Sequence, residues 1–308
     1  MSGTFKGTPA VDSTAIFQPN LFSGKVLFCT GGGSGICRTM TEAIMKHGAD
    51  AVIVGRKAER LASAAQEMEK LTGKRCIPAQ ADVRKPEQLK EAVKKAIDTF
   101  GRIDFVICGA AGNFLAPISG LSENGFKTVI EIDTIGTYNT IKATLPYVRK
   151  AHGSYIHVSA TLHYRGTPFQ VHVSAAKAGV DAISRVLAVE EGPHGVRSNV
   201  IAPGPIGGTE GMDRLSAQPS PSSSSSPSST SSTAWSSNNH SGIPVARVGD
   251  KRDIANAAVF LFSPAASFIS GALLVVDGAS EHVRASQLPY PQSVLDPESV
   301  KEMIKSKL

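Results

Sequence analysis

The sequence predicts a single doubly wound α/β domain, a Rossmann-type fold with a mainly parallel sheet and helices on both faces. Three observations support this fold class. Short apolar runs alternate with helical patterns, the alternation continues from about residue 24 to 280, and a glycine-rich loop follows the first run. Parallel strands that are buried on both faces have continuous apolar sequences. Strands that alternate with helices along the chain pair into parallel sheets.

The predicted elements follow one another in regular order. The runs predicted as strands are five to nine residues long and lie at 25–30, 51–55, 76–81, 103–110, 154–160, 196–204 and 272–278. Between them the apolar residues recur with helical spacing. This spacing predicts helices over 35–47, 57–72, 86–100, 123–150 and 170–192.

The domain organisation follows from the same pattern. Residues 22–280 are predicted to form one domain, preceded by an N-terminal arm, 1–21, and followed by a surface tail, 281–308. Residues 216–241 are dominated by Ser, Pro and Thr. Such a composition buries too little apolar surface to offset the entropy of ordering, so we predict a flexible insertion there.

Composition narrows the class of protein. Hydrophobic residues make up 41% and charged residues 19%, which supports a sizeable core. The formal net charge of +6 comes from scattered Lys and Arg without a nucleic-acid motif, so we expect a small anionic ligand and no nucleic acid. No apolar run approaches the roughly 20 residues of a membrane span. The four cysteines lack CxxC and zinc-ligand spacing, which predicts buried free thiols and no metal site.

The chain ends in the tripeptide Ser306-Lys307-Leu308. A C-terminal S-K-L is an address that the peroxisomal import receptor reads. The tripeptide therefore predicts a protein of the peroxisomal matrix, with that receptor as a partner.

A glycine-rich loop lies between the first predicted strand and the first predicted helix. Glycines there let the backbone approach a pyrophosphate, and the following helix N-terminus offers free N–H groups and a positive dipole end. The strand–loop–helix context is what a dinucleotide site requires. The predicted cofactor contacts in this loop are Gly31, Gly32, Gly33, Ser34, Gly35 and Ile36.

The second predicted strand ends at Arg56 and Lys57. A site that prefers NAD usually has an acidic residue at this point, which binds the ribose hydroxyls. Two cations here, with Arg60 nearby, suit a 2′-phosphate instead. The predicted cofactor is therefore NADPH.

Further candidate residues follow the later strands. The carboxyl ends of parallel strands meet at one edge of the sheet, where ligands bind in such folds. We expect cofactor contacts from Asp82 and Val83 after the third strand and from Pro203 and Ile206 after the sixth. Asn113 follows the fourth strand at the same edge.

The motifs TGGGSGI, ADV, CGAAG, SAAK and APGPI, in this order, resemble those of the short-chain dehydrogenase/reductase family over about residues 22–280. Members that act on ketones and alcohols use Tyr-x-x-x-Lys with a Ser about thirteen residues upstream. Lys177 is present, but Val173 stands at the Tyr position and Ala160, next to Ser159, at the Ser position. Tyr164 is too far upstream to serve the same register. Because the usual proton donor is missing, simple carbonyl reduction is not expected.

Two smaller departures accompany the missing Tyr. Cys37 stands at the third glycine of the family's usual loop, and Asp133 stands where many members have Asn. The set GAAGNF, IDTIG, Tyr-less SAAKAGVD and APGPIGGTEG resembles the peroxisomal 2,4-dienoyl-CoA reductases of this family. This resemblance implies NADPH-dependent reduction of 2,4-dienoyl-CoA to 3-enoyl-CoA, an auxiliary step of peroxisomal β-oxidation of unsaturated fatty acids.

The resemblance also implies roles for individual residues. Lys177 would bind the nicotinamide ribose and, with Asp181, hold the water that protonates the α-carbon. Since Asp181 follows Lys177 by four residues on a helix, the two share a face and are expected to be hydrogen-bonded neighbours. Asp133 would orient the water, the lysine or the substrate, and Asn113 is a further catalytic candidate.

The implied substrate is a polyanionic acyl-CoA, so cations are expected at the mouth of the site. Arg84 and Arg214 are the candidates, with Phe114 beside them at the mouth. His157, His163 and His172 flank the site in sequence and are left out of the mechanism. The fold usually pairs through long helices, so a homodimer or homotetramer is expected.

Two alternatives remain open at this point. The first is a peroxisomal trans-2-enoyl-CoA reductase of the same fold, against which Val173 argues because members of that type keep the Tyr. The second is a non-catalytic NADP-binding protein, which the missing Tyr and Ser and the Ser-rich insertion suggest. The retained Lys177 and Asp181 and the complete cofactor loops argue against it.

Overall fold

A computed structural model describes residues 7–209 and 242–283 of the chain. Within these residues, seven strands form one sheet in which every neighbouring pair is parallel. The strands are β1 Val26–Thr30, β2 Asp50–Gly55, β3 Cys76–Gln80, β4 Phe105–Cys108, β5 Ser154–Val158, β6 Arg197–Pro203 and β7 Leu273–Val276. All seven lie within the runs predicted from sequence, apart from one residue at the start of β2, and the predicted fold class is confirmed.

Helices cover both faces of this sheet. They are α1 Gly35–Lys46, α2 Ala58–Thr72, α3 Pro86–Phe100, α4 Glu123–Ile130, α5 Gly136–Ala151, α6 Val171–Glu191 and α7 Lys251–Phe262. In β1, Leu27 and Cys29 pack into the core beneath α1, α2 and α7, whereas Phe28 packs into the core beneath α3, α5 and α6. Successive side chains of a strand point to opposite faces, so each strand contributes to both cores.

Helix α7 was not among the predicted elements. It begins with a capping box. The Asp250 side chain accepts a hydrogen bond from the backbone N–H of Asp253, and the Asp253 side chain accepts one from the backbone N–H of Asp250. The sequence does contain the signal for this cap, because Asp250 precedes Asp253 by three positions, directly ahead of an apolar run. The helix then packs along α1 and completes one face of the domain.

The predicted helix over 123–150 is divided in the structure. A π-helical turn, Glu131–Ile135, separates α4 from α5. A π-turn inserts an extra residue into the helical ladder, and such turns often occur at functional sites. This turn carries Asp133, which is 1% exposed.

The strand order, β3-β2-β1-β4-β5-β6-β7, fixes where a ligand binds. From β1 the chain continues to β2 on one side, and after β3 it returns to β4 on the other side of β1. The connections therefore diverge at the carboxyl ends of β1 and β4 and leave a crevice between them. The glycine-rich loop after β1 and the segment that contains Asn113 both lie at this crevice.

The described residues confirm one further prediction, that of buried free thiols. All four cysteines are free and buried. Among the described helices, the structure contains no segment that is long and apolar enough to cross a membrane. The predicted Ser-rich insertion, 216–241, and the Ser306-Lys307-Leu308 tripeptide lie outside the described residues.

Candidate active site

The glycine-rich loop forms a cradle at the carboxyl end of β1. Gly31 has a φ of 76°, and a Cβ on it would lie 2.7 Å from the carbonyl oxygen of Gly109. A Cβ on Gly32 would lie equally close, at 2.7 Å, to the side chain of Ile53. Space therefore requires glycine at both positions, and at Gly31 the left-handed backbone conformation requires it as well.

The cradle continues into the N-terminus of α1. Ser34 precedes this helix, and its side chain makes no capping hydrogen bond to the first turn. The first N–H groups of a helix lack intrahelical partners and carry the positive end of its dipole. The residues present thus fit a dinucleotide whose pyrophosphate rests on this helix.

Cations lie beside the cradle. Arg56 and Lys57 follow β2 with exposed side chains, and the Arg56 carbonyl accepts a hydrogen bond from Gln80 Nε2 at 3.0 Å. The side chain of Arg60 passes the loop, 3.7 Å from the position that a Cβ on Gly33 would take. The structure therefore places Arg60 against the loop and leaves Arg56 and Lys57 exposed at the end of β2, and their contact with a 2′-phosphate stays a prediction.

Asp82 and Arg84 bind each other. Arg84 Nε donates to Asp82 Oδ1 at 3.0 Å and to Oδ2 at 3.1 Å. The guanidinium holds the pKa of the Asp82 carboxyl below its usual value, and burial opposes this effect. Arg84 was predicted to face the CoA. Its charge is already paired within the chain, and its contact with CoA stays a prediction.

A buried ion pair occupies the centre of the site. Lys177 Nζ lies 2.9 Å from Asp133 Oδ2 and donates to the Val158 carbonyl at 2.9 Å. The other carboxylate oxygen of Asp133 accepts from the Gly112 N–H at 2.8 Å. The side chain of Lys177 is 7% exposed and that of Asp133 is 0% exposed. Four parts of the chain meet here: α6, β5, the π-helical turn and the segment after β4.

The expected hydrogen bond between Lys177 and Asp181 is replaced by other pairings. Asp181 Oδ2 lies 2.7 Å from His163 Nε2 and accepts from the Tyr164 hydroxyl at 3.2 Å. Helical spacing places Lys177 and Asp181 on one face, but the π-helical turn brings Asp133 to the lysine, and the segment after β5 brings two donors to Asp181. Burial raises the pKa of the Tyr164 phenol, and the Asp181 carboxylate raises it further.

His163 and Tyr164 are site residues that sequence reasoning missed. Nothing in the sequence assigns a role to His163, and the spacing of Tyr164 from Lys177 does not fit the family's motif. The Tyr-x-x-x-Lys spacing applies only to a phenol that lies on the same helix as the lysine. Tyr164 instead comes from the segment between β5 and α6, whose path has no local sequence signal.

Phe114 has a partner that was also overlooked. Its ring stacks on that of His172 with centroids 4.4 Å apart and planes inclined by 29°. His172 is fully buried, and burial lowers the pKa of its imidazole. Next to Phe114, the Oδ1 atom of Asn113 is buried without a hydrogen-bond partner among the described residues. This acceptor is a polar group that a bound ligand would satisfy.

An apolar cluster stands where the family's phenol would be. Val173 packs with Val129 and Ala176, and Leu162 lies against them. No proton donor of the helix reaches the reacting centre from position 173. This part of the site is therefore unsuited to reducing a carbonyl oxygen to an alcohol.

The remaining predicted residues lie around the carboxyl edge of the sheet. Val83 is buried, and its carbonyl accepts from Asn139 Nδ2 at 3.0 Å. Pro203 ends β6, and Ile206 is 4% exposed and forms an isolated parallel bridge with Gly249. Arg214 lies outside the described residues.

Comparisons with known proteins agree with this geometry. A family model described as enoyl-(acyl carrier protein) reductase matches residues 31–279. The chain is 46% identical over 295 residues to the peroxisomal 2,4-dienoyl-CoA reductase [(3E)-enoyl-CoA-producing] of Saccharomyces cerevisiae, covering 95% of this chain and 94% of that protein. It is 46% identical over 266 residues to the mouse protein of the same description, with 86% of each chain covered.

Solved structures show the same architecture. Carveol dehydrogenase from Mycobacterium avium, determined in complex with NAD, superposes with a TM-score of 0.74 at 28% identity. The match covers 85% of this chain and 99% of that one.

Proposed function

This chain belongs to the short-chain dehydrogenase/reductase family, and we propose that it reduces 2,4-dienoyl-CoA to 3-enoyl-CoA with NADPH in the peroxisome. One observation carries the proposal. A buried Lys177–Asp133 pair lies beside an apolar Val173, where carbonyl reductases of the family have a phenol. The names of relatives at 44–46% identity agree with this reading, since each is a peroxisomal 2,4-dienoyl-CoA reductase.

The cofactor is a nicotinamide dinucleotide, as the family and its NAD-bound neighbour indicate. We propose that the form used is NADPH. Its pyrophosphate would rest on the glycine cradle and the N-terminus of α1. Its 2′-phosphate would face the cations Arg56, Lys57 and Arg60, while Asp82, Val83, Pro203 and Ile206 border the remaining parts. Guanidinium groups bind phosphate through charge-assisted hydrogen bonds, which supports this choice.

The residues present suit an attack at the far end of a conjugated diene. When bound, the nicotinamide supplies a hydride to C5 of the dienoyl thioester. Negative charge then develops on the thioester oxygen, and donors fixed in advance around that oxygen lower the barrier. The Lys177 ammonium and the Asn113 side-chain amide are the candidates for this role. Since no carbonyl oxygen becomes an alcohol, a phenol at position 173 is unnecessary.

Protonation of the α-carbon completes the reaction and leaves the double bond between C3 and C4. We propose that the water that supplies this proton is held beside the Lys177–Asp133 pair. Asp181 is occupied by His163 and Tyr164, so we assign it a positioning role for the segment between β5 and α6. Lys177 is held by Val158 as well as by Asp133, which keeps its ammonium in one place.

Localisation and partners follow from the same proposal. Ser306-Lys307-Leu308 would be read by the peroxisomal import receptor, and the acyl-CoA would meet Phe114 and the cations Arg84 and Arg214 at the mouth of the site. A fluorescent fusion that keeps the native C-terminus is expected to co-localise with a peroxisomal marker. Deletion of the last three residues is expected to leave it in the cytosol with its reductase activity intact.

We also propose that the protein is a homodimer or homotetramer. Large apolar side chains on the helices remain exposed, among them Tyr138 on α5 and Val186 and Val189 on α6, at 52%, 55% and 79%. Exposed apolar surface on packed helices marks contact sites between subunits. Light scattering with size-exclusion chromatography gives the mass directly, and a monomer would contradict the proposal.

The function is tested by following NADPH oxidation at 340 nm with 2,4-hexadienoyl-CoA and 2,4-decadienoyl-CoA, with trans-2-enoyl-CoA as the control substrate. Turnover of the dienes alone is the expected result, with 3-enoyl-CoA as the product by mass spectrometry and NMR. Turnover of the monoene would favour an enoyl reductase. Binding of NADPH without turnover of either substrate would favour a non-catalytic protein.

A further inference from the structure

A cavity of about 710 Å³ lies between the segments 116–118 and 162–169 and the first turns of α6, 171–175. We propose that this cavity holds the distal part of the acyl chain and thereby sets the chain-length preference of the enzyme. The inference rests on the proposed function, since it names the part of the substrate that occupies the cavity. Cavities of a few hundred to a thousand cubic ångströms are typical of small-molecule sites.

The cavity adjoins the reacting centre. Leu162, on one wall, packs against the apolar cluster of Val173 and Ala176. Ser174, on another wall, precedes Lys177 by three residues in the same helix, so the two lie on one helix face. A thioester placed beside Lys177 would therefore direct its hydrocarbon tail toward this space.

The chemistry of the walls selects hydrocarbon over the nucleotide part of the substrate. Most of the lining side chains are apolar, and the described lining contains no Lys or Arg that would bind a phosphate. Its titratable group is His163, whose Nε2 is already paired with Asp181. Burial of apolar surface is the main source of affinity that such walls offer.

The walls are held in place before any ligand binds. The Ala116 N–H donates to the Phe169 carbonyl at 3.1 Å, which joins two of the three wall segments. Phe169 has a φ of 65°, a left-handed conformation that is strained for an aromatic residue, and its side chain is 53% exposed at the mouth of the cavity. Strained backbone of this kind persists only where surrounding contacts enforce it and is concentrated at ligand sites.

Asp181 secures the wall segment 162–169 through His163. The imidazole lines the cavity on one side and contacts the buried carboxylate at 2.7 Å on the other. Within the same segment, the Thr167 hydroxyl donates to the Leu162 carbonyl at 3.0 Å. A carboxylate that is 3% exposed thus fixes the position of an apolar wall without touching the acyl chain itself.

The first experiment measures binding, which requires no turnover. Saturated acyl-CoAs of 6 to 14 carbons are titrated by calorimetry into the protein with NADP⁺ present. Each methylene buried in the cavity is expected to raise affinity about fourfold until the cavity is full. Ala175→Phe, a change at an exposed lining residue, is expected to remove this increase beyond the shortest chains. Ala178→Phe, exposed on the same helix but outside the lining, is the matched control and should keep it.

The second experiment uses the dienes. Ala175→Phe is expected to lower kcat/KM for 2,4-decadienoyl-CoA at least tenfold and that for 2,4-hexadienoyl-CoA less than twofold. Ala116→Leu, from the opposite wall, should shift the preference in the same direction and covers the case in which the first variant fails to fold. A chain-length series that is flat in the wild type, or equal losses with both dienes, would overturn the acyl subsite. Chain-length-dependent binding without diene turnover would retain the subsite and refute the proposed reaction.

Discussion

Lys177 and Asp133 form a buried ion pair whose Nζ and Oδ2 atoms lie 2.9 Å apart, although the two residues belong to separate helical elements. Each has a second contact to the backbone, Lys177 to the Val158 carbonyl and Asp133 to the Gly112 N–H. The pair thereby joins the carboxyl ends of β4 and β5 through two side chains. Because the pair is buried, the stability of the fold depends on the presence of both partners.

Removal of one partner of this pair should destabilise the fold and impair catalysis. Lys177→Met or Asp133→Asn leaves the other group without its partner, which we expect to cost about 3 to 5 kcal/mol in the free energy of unfolding. Urea denaturation measures this, and the double variant should lose less than the sum of the two. Lys94→Ala, which removes an exposed pair with Asp98, is the control and should leave the midpoint unchanged. Additive losses of stability in the double variant would contradict coupling between the two residues.

We further expect kcat of the Lys177 variant to fall by roughly a hundredfold or more.

Asp181 should behave differently from Lys177. Asp181→Ala frees His163 and Tyr164, so the wall segment 162–169 loses its anchor while the Lys177–Asp133 pair remains. We expect KM for 2,4-decadienoyl-CoA to rise roughly fivefold, the equivalent of about one net hydrogen bond, with kcat changed less than twofold. His163→Ala should reproduce part of this effect. A collapse of kcat with unchanged KM would place Asp181 in the chemistry instead.

Arg56 should determine the choice between NADPH and NADH. Arg56→Asp replaces a cation at the end of β2 with the acidic residue that NAD sites use. Loss of charge-assisted hydrogen bonds to the 2′-phosphate is expected to lower kcat/KM for NADPH roughly ten- to hundredfold, while that for NADH stays equal or rises. Initial rates with both coenzymes at saturating diene give the ratio. Glu59→Ala, an exposed change in the first turn of α2, serves as the control.

The effects of substitutions at Cys37 and Gly109 on stability should be coupled, because the two side chains would compete for the same space. A Cβ on Gly109 would overlap the sulfur of Cys37, which occupies the family's third glycine position. We expect Gly109→Ala to destabilise the protein by about 1 to 3 kcal/mol through overpacking and to weaken coenzyme binding. Cys37→Ala removes the sulfur, so the double variant should recover at least half of the loss. Equal instability of the single Gly109 variant and the double variant would show that another neighbour, such as the Thr30 carbonyl, causes the clash.

His157 should make stability depend on pH. Its ring is fully buried, Nε2 lies 3.0 Å from Ser198 Oγ, and burial lowers its pKa to about 3. The unfolded chain, with a histidine pKa of about 6.5, binds more protons than the folded chain between these values, so stability falls as pH decreases from about 6.5 toward 3. The slope from this residue approaches 1.4 kcal/mol per pH unit within that window. Chemical denaturation at several pH values should show a smaller slope for His157→Gln than for the wild type. Equal slopes would contradict the assignment.

Much of the cofactor side could be predicted because its signals are local. The glycines after β1 and the cations after β2 sit directly at strand ends, and strand ends follow from apolar runs. The structure places the glycines at the crevice between β1 and β4 and the side chain of Arg60 against the same loop. Helix α7 shows that a local signal can also be overlooked, since its acidic capping residues stand in the sequence.

The catalytic side could be predicted only in part. The sequence identified Lys177, Asp133 and Asp181 as the charged residues of the site and Val173 as the missing phenol. Helical spacing then suggested Lys177–Asp181 as the pair, because i and i+4 share a face. The spacing carries no information about what other segments bring to that face, and the π-helical turn and the segment after β5 brought closer partners.

The sequence by itself therefore determined the doubly wound fold, the position of the coenzyme cradle and the absence of a phenol from α6. Periodicity, glycine order and residue identity are properties of short stretches of chain, and each of these conclusions depends on one such stretch. The tertiary structure alone decided that Asp133 neutralises Lys177, that Asp181 holds His163 and Tyr164, and that an apolar cavity lies beside them. These relationships depend on how distant segments pack in space, and a buried charge takes the partner that packing brings within hydrogen-bonding distance.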